Sequence, residues 1–273
     1  MRASLVDRLR SAGRRDEPVD WQRALRIVAA GAFAVAIVRA IAYYAAIPNP
    51  ATSVGIDYEL YVAAARRWLE TGAFYQPYQL AGPYHVIGNA EVLYPPITLW
   101  LLVPFTVLPA VLWWAIPVGL TALAIARMRP AAWSLAVAGA ICTTHAVQAP
   151  LFWGTPVIWL APAVAWGLLL GWPAIAVMIK PTLAPFALAG LTRPRALVAG
   201  VIGFVVLALP FTTMWLDWLT AIRNSDLGLL YAYTQNLLLI VPVVTWLGRA
   251  GRRPSSPSLR PVRSVRTEDA RRR

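Results

Sequence analysis

Two carboxylates separated by one residue, Asp57 and Glu59, follow the first long apolar segment of the chain. A carboxylate beside an apolar wall or a cation can act as a general base, because such neighbours tune its pKa. Residues two apart in a helix do not face each other, so the pair is not expected to form a catalytic dyad. Asp57 is the candidate base. Its alternative role is a helix N-cap, which Asp favours, and the two roles are compatible.

Two cations lie within apolar segments. Lys180, the only Lys of the chain, directly precedes Pro181, and Arg39 lies inside the first apolar block. An ionisable group at membrane depth is costly and is a functional candidate, here for holding a phosphate carried by a lipid. The alternative for both is snorkelling towards the headgroups. For Arg39 snorkelling is favoured, because it lies about 20 Å beyond Arg26 at the helical rise and can reach the far interface.

Motifs for metals and nucleotides are absent from the sequence. His85 and His145 share no metal-ligand spacing with each other or with carboxylates, and no Walker loop, dinucleotide fingerprint or nucleophile elbow occurs. We therefore predict no cofactor and no metal ligand set, and the requirement for a divalent metal stays open. An activated substrate would have to come from another source, such as a lipid.

The elements that must position these residues are membrane helices. The chain is 59% hydrophobic and 14% charged, whereas a soluble domain carries about a quarter charged residues. Residues 27–47 contain Arg39 as their one charge, and a bilayer span needs about 20 apolar residues. Several similar blocks follow, so the fold class is predicted to be an all-α polytopic membrane protein.

The distribution of basic residues predicts the topology. All but one of the 25 basic residues are Arg, and most lie at the two termini or in the short connections 127–130 and 193–195. If these segments face the cytoplasm, the positive-inside rule is satisfied. We therefore predict a cytoplasmic basic N-terminus (1–26), a transmembrane domain (27–247) and a disordered cytoplasmic tail (248–273). The net charge of +13 then reflects topology, with attraction to anionic lipid as a secondary effect, and no nucleic-acid partner is expected.

The long connection 48–95 is predicted to lie on the outer face and to contain its own helix. Tyr58, Tyr61, Ala65 and Trp68 recur at helical spacing and Gly72 is a suitable C-cap. An amphipathic helix of this kind suits the membrane interface.

Further along, the sequence predicts a bend near Pro109 and an outer turn at 150–156. The segment 172–191 is expected to be broken at Lys180. A span at 196–211, an outer loop at 212–236 and a last apolar stretch at 237–247 complete the path.

The order of several short motifs resembles a known family. The motif residues are Gly55, Asp57, Tyr58, Tyr61, Gly72, Tyr75, Tyr94-Pro95-Pro96, Pro104, Leu108-Pro109, Ile179-Lys180-Pro181 and Asn236. Over residues 27–240 this pattern resembles the polyprenyl-phosphate-mannose-dependent alpha-mannosyltransferases of glycosyltransferase family 87. Gly154 stands where that family has Gly-Gln, with Thr155 in place of the Gln. The chain is also shorter than is usual for the family.

The resemblance implies a C-type glycosyltransferase-like bundle of about six to eight transmembrane helices with its active site on the outer face. It implies Asp57 as the catalytic base of an inverting transfer of mannose, or another hexose, from a polyprenyl-phosphate donor to a glycolipid or glycan acceptor. Lys180 and Arg39 would bind the donor phosphate. The predicted substrate-binding residues are Glu59, Tyr61, Tyr94 and Asn236. The implied location is a bacterial plasma membrane, and the preference for Arg over Lys suggests a high-GC, actinobacterial genome.

Two other functions remain open from the sequence. One is a non-catalytic or truncated paralogue that assists cell-envelope glycan or lipid assembly. The other is a transporter, which is disfavoured because its spans should carry ionisable residues that pair with one another. Here the spans offer only Arg39 and Lys180, both of them basic.

Overall fold

The fold was obtained as a computed structural model, which describes residues 20–46, 54–86, 91–227 and 236–249. Within these ranges the chain is helical, and its strand-like pairing consists of isolated bridges. The α-helices are α1 (Trp21–Ala45), α2 (Ile56–Thr71), α3 (Pro77–Ala81), α4 (Leu99–Leu102), α5 (Val111–Met128), α6 (Ala132–Cys142), α7 (His145–Trp153), α8 (Leu160–Leu170), α9 (Pro194–Ala208), α10 (Met214–Asn224) and α11 (Asn236–Leu247). The 3₁₀ segments are Pro96–Thr98, Val103–Thr106, Pro156–Trp159, Trp172–Ile179, Pro181–Thr192 and Leu209–Phe211. The predicted tail beyond residue 249 and most of the predicted N-terminal segment lie outside the described residues.

Three helices are long and apolar enough to cross a membrane, namely α1, α5 and α9 with its 3₁₀ extension to Phe211. A fourth crossing results if α6 and α7, which meet at an angle of 63°, form one broken span. Much of the surface of α1 and α9 consists of exposed Val, Ile and Leu side chains, which need an apolar environment. These features support a helical membrane protein, while the predicted six to eight crossings remain a prediction.

Helix α1 begins earlier than the predicted span at residue 27. The carboxylate of Asp20 caps it by accepting hydrogen bonds from the backbone N–H groups of Gln22 (3.1 Å) and Arg23 (3.2 Å), which would otherwise lack partners. The helix packs against α6 at Gly139, where an added Cβ would lie 2.9 Å from the Cβ of Ala32. A small residue at this position therefore permits the close helix contact.

The predicted turn at 150–156 is wrong for its first half. Helix α7 continues through Pro150 to Trp153, and the chain turns only at Gly154 and Thr155. Pro150 lacks a donor but keeps its carbonyl oxygen, which accepts from Gly154 N (3.1 Å) and Thr155 N (3.2 Å). The predicted outer loop 212–236 contains a helix, α10, whose Trp218, Ala221 and Ile222 are buried.

The core has two connected regions. In the first, α2 packs against the chain around Tyr94 and against Trp113 of α5. In the second, α8 lies at the centre with most of its residues buried, against the two long 3₁₀ segments and α11. Ile179 contacts both regions, so the residue before Lys180 lies at the junction between them.

Candidate functional site

Helix α2 was predicted from residue spacing and is present, but its aromatic face has a different environment from the one expected. Tyr61 and Ala65 are buried, and Tyr58 and Trp68 pack against the first core region. This face therefore lies against protein, and the location of the helix at the membrane interface remains a prediction. Gly72, at φ 78°, ends the helix as predicted.

The alternative role of Asp57 as a helix N-cap is not observed. Helix α2 begins after Gly55, whose φ of 76° places it in the left-handed region, and no side chain caps the helix. Asp57 is the second helical residue and lies in the first turn, where the helix dipole favours a negative charge. Its carboxylate is therefore not used by the helix terminus and faces a hydroxyl of another element.

That hydroxyl belongs to Thr155, which follows the turn at the end of α7. Gly154 has a φ of 70°, and an added Cβ there would lie 2.7 Å from the Trp114 ring and 3.0 Å from the Cβ of Tyr58. Glycine is thus required both by the backbone conformation and by the close approach of α5 and α2. Thr155 is 3% exposed, so its hydroxyl is held inside the protein.

Two adjacent indoles of α5 anchor this turn. Trp113 Nε1 donates to the carbonyl of Gly154 (2.7 Å), and Trp114 Nε1 donates to the carbonyl of Leu151 (2.6 Å). On the other side, the backbone N–H of Gly55 donates to Phe152 O (3.0 Å). The start of α2 and the end of α7 are therefore fixed against each other and against α5.

Four polar side chains meet at this junction: Asp57, Tyr94, Thr155 and Lys180. The Thr155 hydroxyl lies within interaction range of both the Asp57 carboxylate and the Tyr94 phenol. Lys180 Nζ lies 5.8 Å from the centroid of the Tyr94 ring, within the range of a cation–π contact. Asp57 and Lys180 also interact electrostatically. The structure thus brings together a carboxylate, Asp57, and an ammonium group, Lys180, that lie far apart in the sequence.

The electrostatics of Asp57 suit a proton acceptor near neutral pH. Burial raises its pKa from 3.8 to about 6, while the positive charge of Lys180 and the hydrogen bond from Thr155 oppose this rise. Burial also raises the pKa of Tyr94, so its phenol stays protonated. Asp57 can therefore exchange a proton under conditions in which the neighbouring phenol cannot.

Lys180 lies where the sequence predicts a break in the helix. Its φ of −124° and ψ of 90° separate the two 3₁₀ segments, and Pro181 begins the second. The side chain is 2% exposed. Snorkelling to the surface is therefore not observed, because the charge is enclosed by protein beside Tyr94 and Asp57.

The other predicted site residues have different environments. Tyr61 is buried with its ring edge against Tyr94, the centroids being 5.0 Å apart. Glu59 is exposed on α2, and Arg39 is exposed on α1 without a hydrogen bond or ion pair to the four-residue cluster within the described chain. Asn236 begins α11, and its side chain lies outside what the structure describes. The substrate roles of these residues remain predictions.

An apolar groove of about 490 Å³ is lined in part by Ile179, the residue before Lys180. It runs between the segment that begins at Pro96, the 3₁₀ segment Trp172–Ile179 and helix α9. Its lining includes Trp100, Trp172, Ile179 and Gly203. Trp100 Nε1 donates to Leu207 O (2.9 Å) and closes one wall.

Sequence reasoning missed the position of Thr155 beside Asp57 and Tyr94, and treated Thr155 only as a departure from a family motif. The available signal was a hydroxyl between Gly154 and Pro156 in an otherwise apolar stretch. The Trp113–Trp114 pair was also missed, since its contacts are long-range. Among the described residues, no group of three or more His, Cys, Asp or Glu is placed to hold a metal ion.

Comparison with models of protein families, with curated proteins and with solved structures finds no match to this chain.

Proposed function

We propose that this chain is an integral-membrane glycosyltransferase that moves a hexose from a polyprenyl-phosphate donor to a hydroxyl of a glycolipid or glycan. The sugar is mannose if the sequence resemblance extends to the donor. The observation that carries the proposal is that Asp57 and Lys180 lie in one cluster of polar side chains. A half-buried carboxylate with a pKa of about 6 lies beside a buried ammonium group, and Ile179, the residue before Lys180, lines an apolar groove.

The reaction is a single inverting displacement. Asp57 accepts the proton of the acceptor hydroxyl as the acceptor oxygen forms a bond to the anomeric carbon. The bond between that carbon and the phosphate oxygen breaks, and its electron pair leaves with the lipid phosphate. The phosphate is a stable anion, so it needs a nearby positive charge more than it needs a proton. Lys180 supplies that charge.

The apolar groove supports a lipid-linked donor over a nucleotide-linked one. Its volume of about 490 Å³ and its apolar lining suit a hydrocarbon chain, and one of its walls is the candidate membrane span α9. Ile179, which lines the groove, directly precedes Lys180 in the chain. The sequence also lacks a nucleotide-binding motif.

The test is transfer of radiolabelled mannose from polyprenyl-phosphate mannose to an alkyl mannoside by the purified full chain. Asp57→Asn should lower the rate about 100- to 10,000-fold, the usual contribution of a general base. Glu70→Gln is the matched control, because Glu70 is an exposed acid near the other end of the same helix, and it should keep at least half of the wild-type rate. Equal rates for wild type and Asp57→Asn would eliminate Asp57 as the base. An inactive wild-type chain that still binds polyprenyl phosphate would favour the non-catalytic alternative.

A further inference from the structure

The backbone that carries Tyr94 is held by side chains from three other parts of the chain. Gln79 Nε2, Trp218 Nε1 and the Tyr75 hydroxyl donate to the carbonyl oxygens of residues 92, 93 and 94, at 3.0, 3.1 and 2.9 Å. All three donor side chains are buried, so these hydrogen bonds are shielded from exchange with water. The Cα of Tyr94 therefore has a fixed position in the first core region.

The ring of Tyr94 contacts both another aromatic ring and a cation. Tyr61 packs against it edge-on, with the two planes at 89° and the ring centroids 5.0 Å apart. Lys180 Nζ lies over the ring of Tyr94, 5.8 Å from its centroid. Tyr94 and Lys180 are each 2% exposed. The contact is therefore desolvated, and a cation–π attraction is stronger under that condition than at an exposed site.

The ammonium group of Lys180 needs such a partner because its own stem is flexible. The four-carbon side chain of Lys has many rotamers, and Lys180 lies at the break between two 3₁₀ segments. The Asp57 carboxylate also attracts the ammonium, but this attraction is lost whenever Asp57 takes up a proton. The negative face of an aromatic ring does not titrate. The ring of Tyr94 therefore attracts the ammonium in both protonation states of Asp57.

We infer that Tyr94 is a positioning residue for Lys180: the face of its ring holds the ammonium group at the place where that group binds the phosphate of the lipid donor. The part played by the phosphate rests on the proposed function. The contact between ring and ammonium does not depend on the reaction. The sequence predicted Tyr94 as a substrate-binding residue, whereas in this inference Tyr94 acts on the donor through Lys180.

The experiment uses the fact that Lys180 is the only Lys of the chain. Lysine isotopically labelled at Cε gives one side-chain signal in the nuclear magnetic resonance spectrum of the purified full chain, and its titration reports the pKa of Lys180. Residue 94 is replaced by phenylalanine, as Tyr94→Phe, and by singly, doubly and triply fluorinated phenylalanine introduced at an amber codon. Fluorine withdraws electron density from the ring face and weakens the cation–π attraction. The shape of the ring hardly changes, so the variants should fold alike.

The attraction of the ring stabilises the charged form of Lys180, so weakening it should lower the pKa of that group. From Tyr94→Phe to the triply fluorinated ring we expect a stepwise fall of about one pH unit in total. A pKa that stays constant or rises along the series would overturn the inference.

Phe74 provides a matched control. It is buried in the same core region but follows the far end of α2, about 20 Å along the helix from Asp57. Fluorination of Phe74 should leave the pKa of Lys180 unchanged. An equal fall in the two series would overturn the inference, because the shift would then not depend on the ring beneath the ammonium.

The titration needs neither substrate nor turnover, so it separates this inference from the proposed function. If the chain transfers mannose, the basic limb of the pH–rate profile should move to lower pH by the same amount as the pKa of Lys180. If no variant transfers mannose while the pKa falls along the series, the proposed function fails and the contact between Tyr94 and Lys180 stands. If transfer is observed while the pKa stays constant, the inference fails and the proposed function stands.

Discussion

Replacing Gly154 by Ala tests whether the end of α7 is as tightly enclosed as the structure indicates. Gly72 provides a matched control. Both glycines end an α-helix, both have φ in the left-handed region (70° and 78°), and both donate their N–H to a helix carbonyl. They differ in space. A Cβ at Gly154 would lie 2.7 Å from the Trp114 ring and 3.0 Å from Tyr58, whereas a Cβ at Gly72 would meet no atom within 4 Å.

The expected magnitudes follow from this difference. An Ala in the left-handed conformation costs roughly 1–2 kcal/mol, and that cost applies equally to both sites. At Gly154 the added methyl must also displace an indole that is hydrogen-bonded to Leu151 O. Overpacking of this kind costs roughly 1–3 kcal/mol. Gly154→Ala should therefore lower the free energy of unfolding by about 2–5 kcal/mol and Gly72→Ala by about 1–2 kcal/mol.

The assay is equilibrium unfolding of the two variants and the wild type in the same mixed detergent micelles, followed by tryptophan fluorescence. Gly154→Ala should also lower the transfer rate, because the displaced turn carries Thr155. Gly72→Ala should leave the transfer rate near that of the wild type. Equal destabilisation by the two substitutions would refute the reasoning, since it would mean that the contact with Trp114 and Tyr58 adds nothing to the backbone term.

Three further predictions concern the charged pair and the groove. Asp57 has a pKa of about 6 and must be ionised to accept a proton. The transfer rate should therefore fall about tenfold per pH unit below that value. A flat pH–rate profile between about pH 5 and 7 would contradict the role of Asp57 as base. The pKa of Asp57 is raised in the folded state, so its ionisation destabilises the fold above about pH 6. The melting temperature of Asp57→Asn at about pH 7 should therefore be no lower than that of the wild type. A clearly lower melting temperature would show that the charge of Asp57 stabilises the fold. Gly203→Leu on the groove wall should lower the transfer rate with a long polyprenyl-phosphate donor more than with a short-chain donor. The control is Gly119→Leu, at a helical glycine that is equally open but lies outside the groove, and it should affect neither rate. Equal effects of the two substitutions would show that the groove is not part of the donor site.

Local features of the fold were predictable from the sequence. The spacing of aromatic residues predicted α2, and Gly72 predicted its end, because both signals depend on a few neighbouring residues. The break at Lys180 was predictable because Pro181 directly follows it. The expected location of Asp57 at the start of α2 was right to within two residues, but its capping role was wrong. Gly55 can adopt a positive φ that no other residue there adopts easily, and the helix begins from it instead.

The assembly of the site depended on contacts that no local pattern encodes. Thr155 meets Asp57 because Trp113 and Trp114 hold the end of α7, and those indoles lie on a helix between the two in sequence. The turn at 150–156 was predicted too early because Pro150 and Gly154 both indicate turns. In the structure Pro150 continues the helix, and its carbonyl closes the turn. The partner of a buried carboxylate is determined by tertiary packing, which sequence spacing does not reveal.

The wall that α9 contributes to the groove has a consequence for enzymology. If a membrane-dissolved donor reaches Lys180 along this wall, it arrives by lateral diffusion within the lipid layer and never passes through bulk water. Its effective concentration is then a mole fraction of the surrounding amphiphiles, and not an amount per litre. Adding inert detergent at constant total donor should slow the reaction, because it lowers the mole fraction of donor among the surrounding amphiphiles.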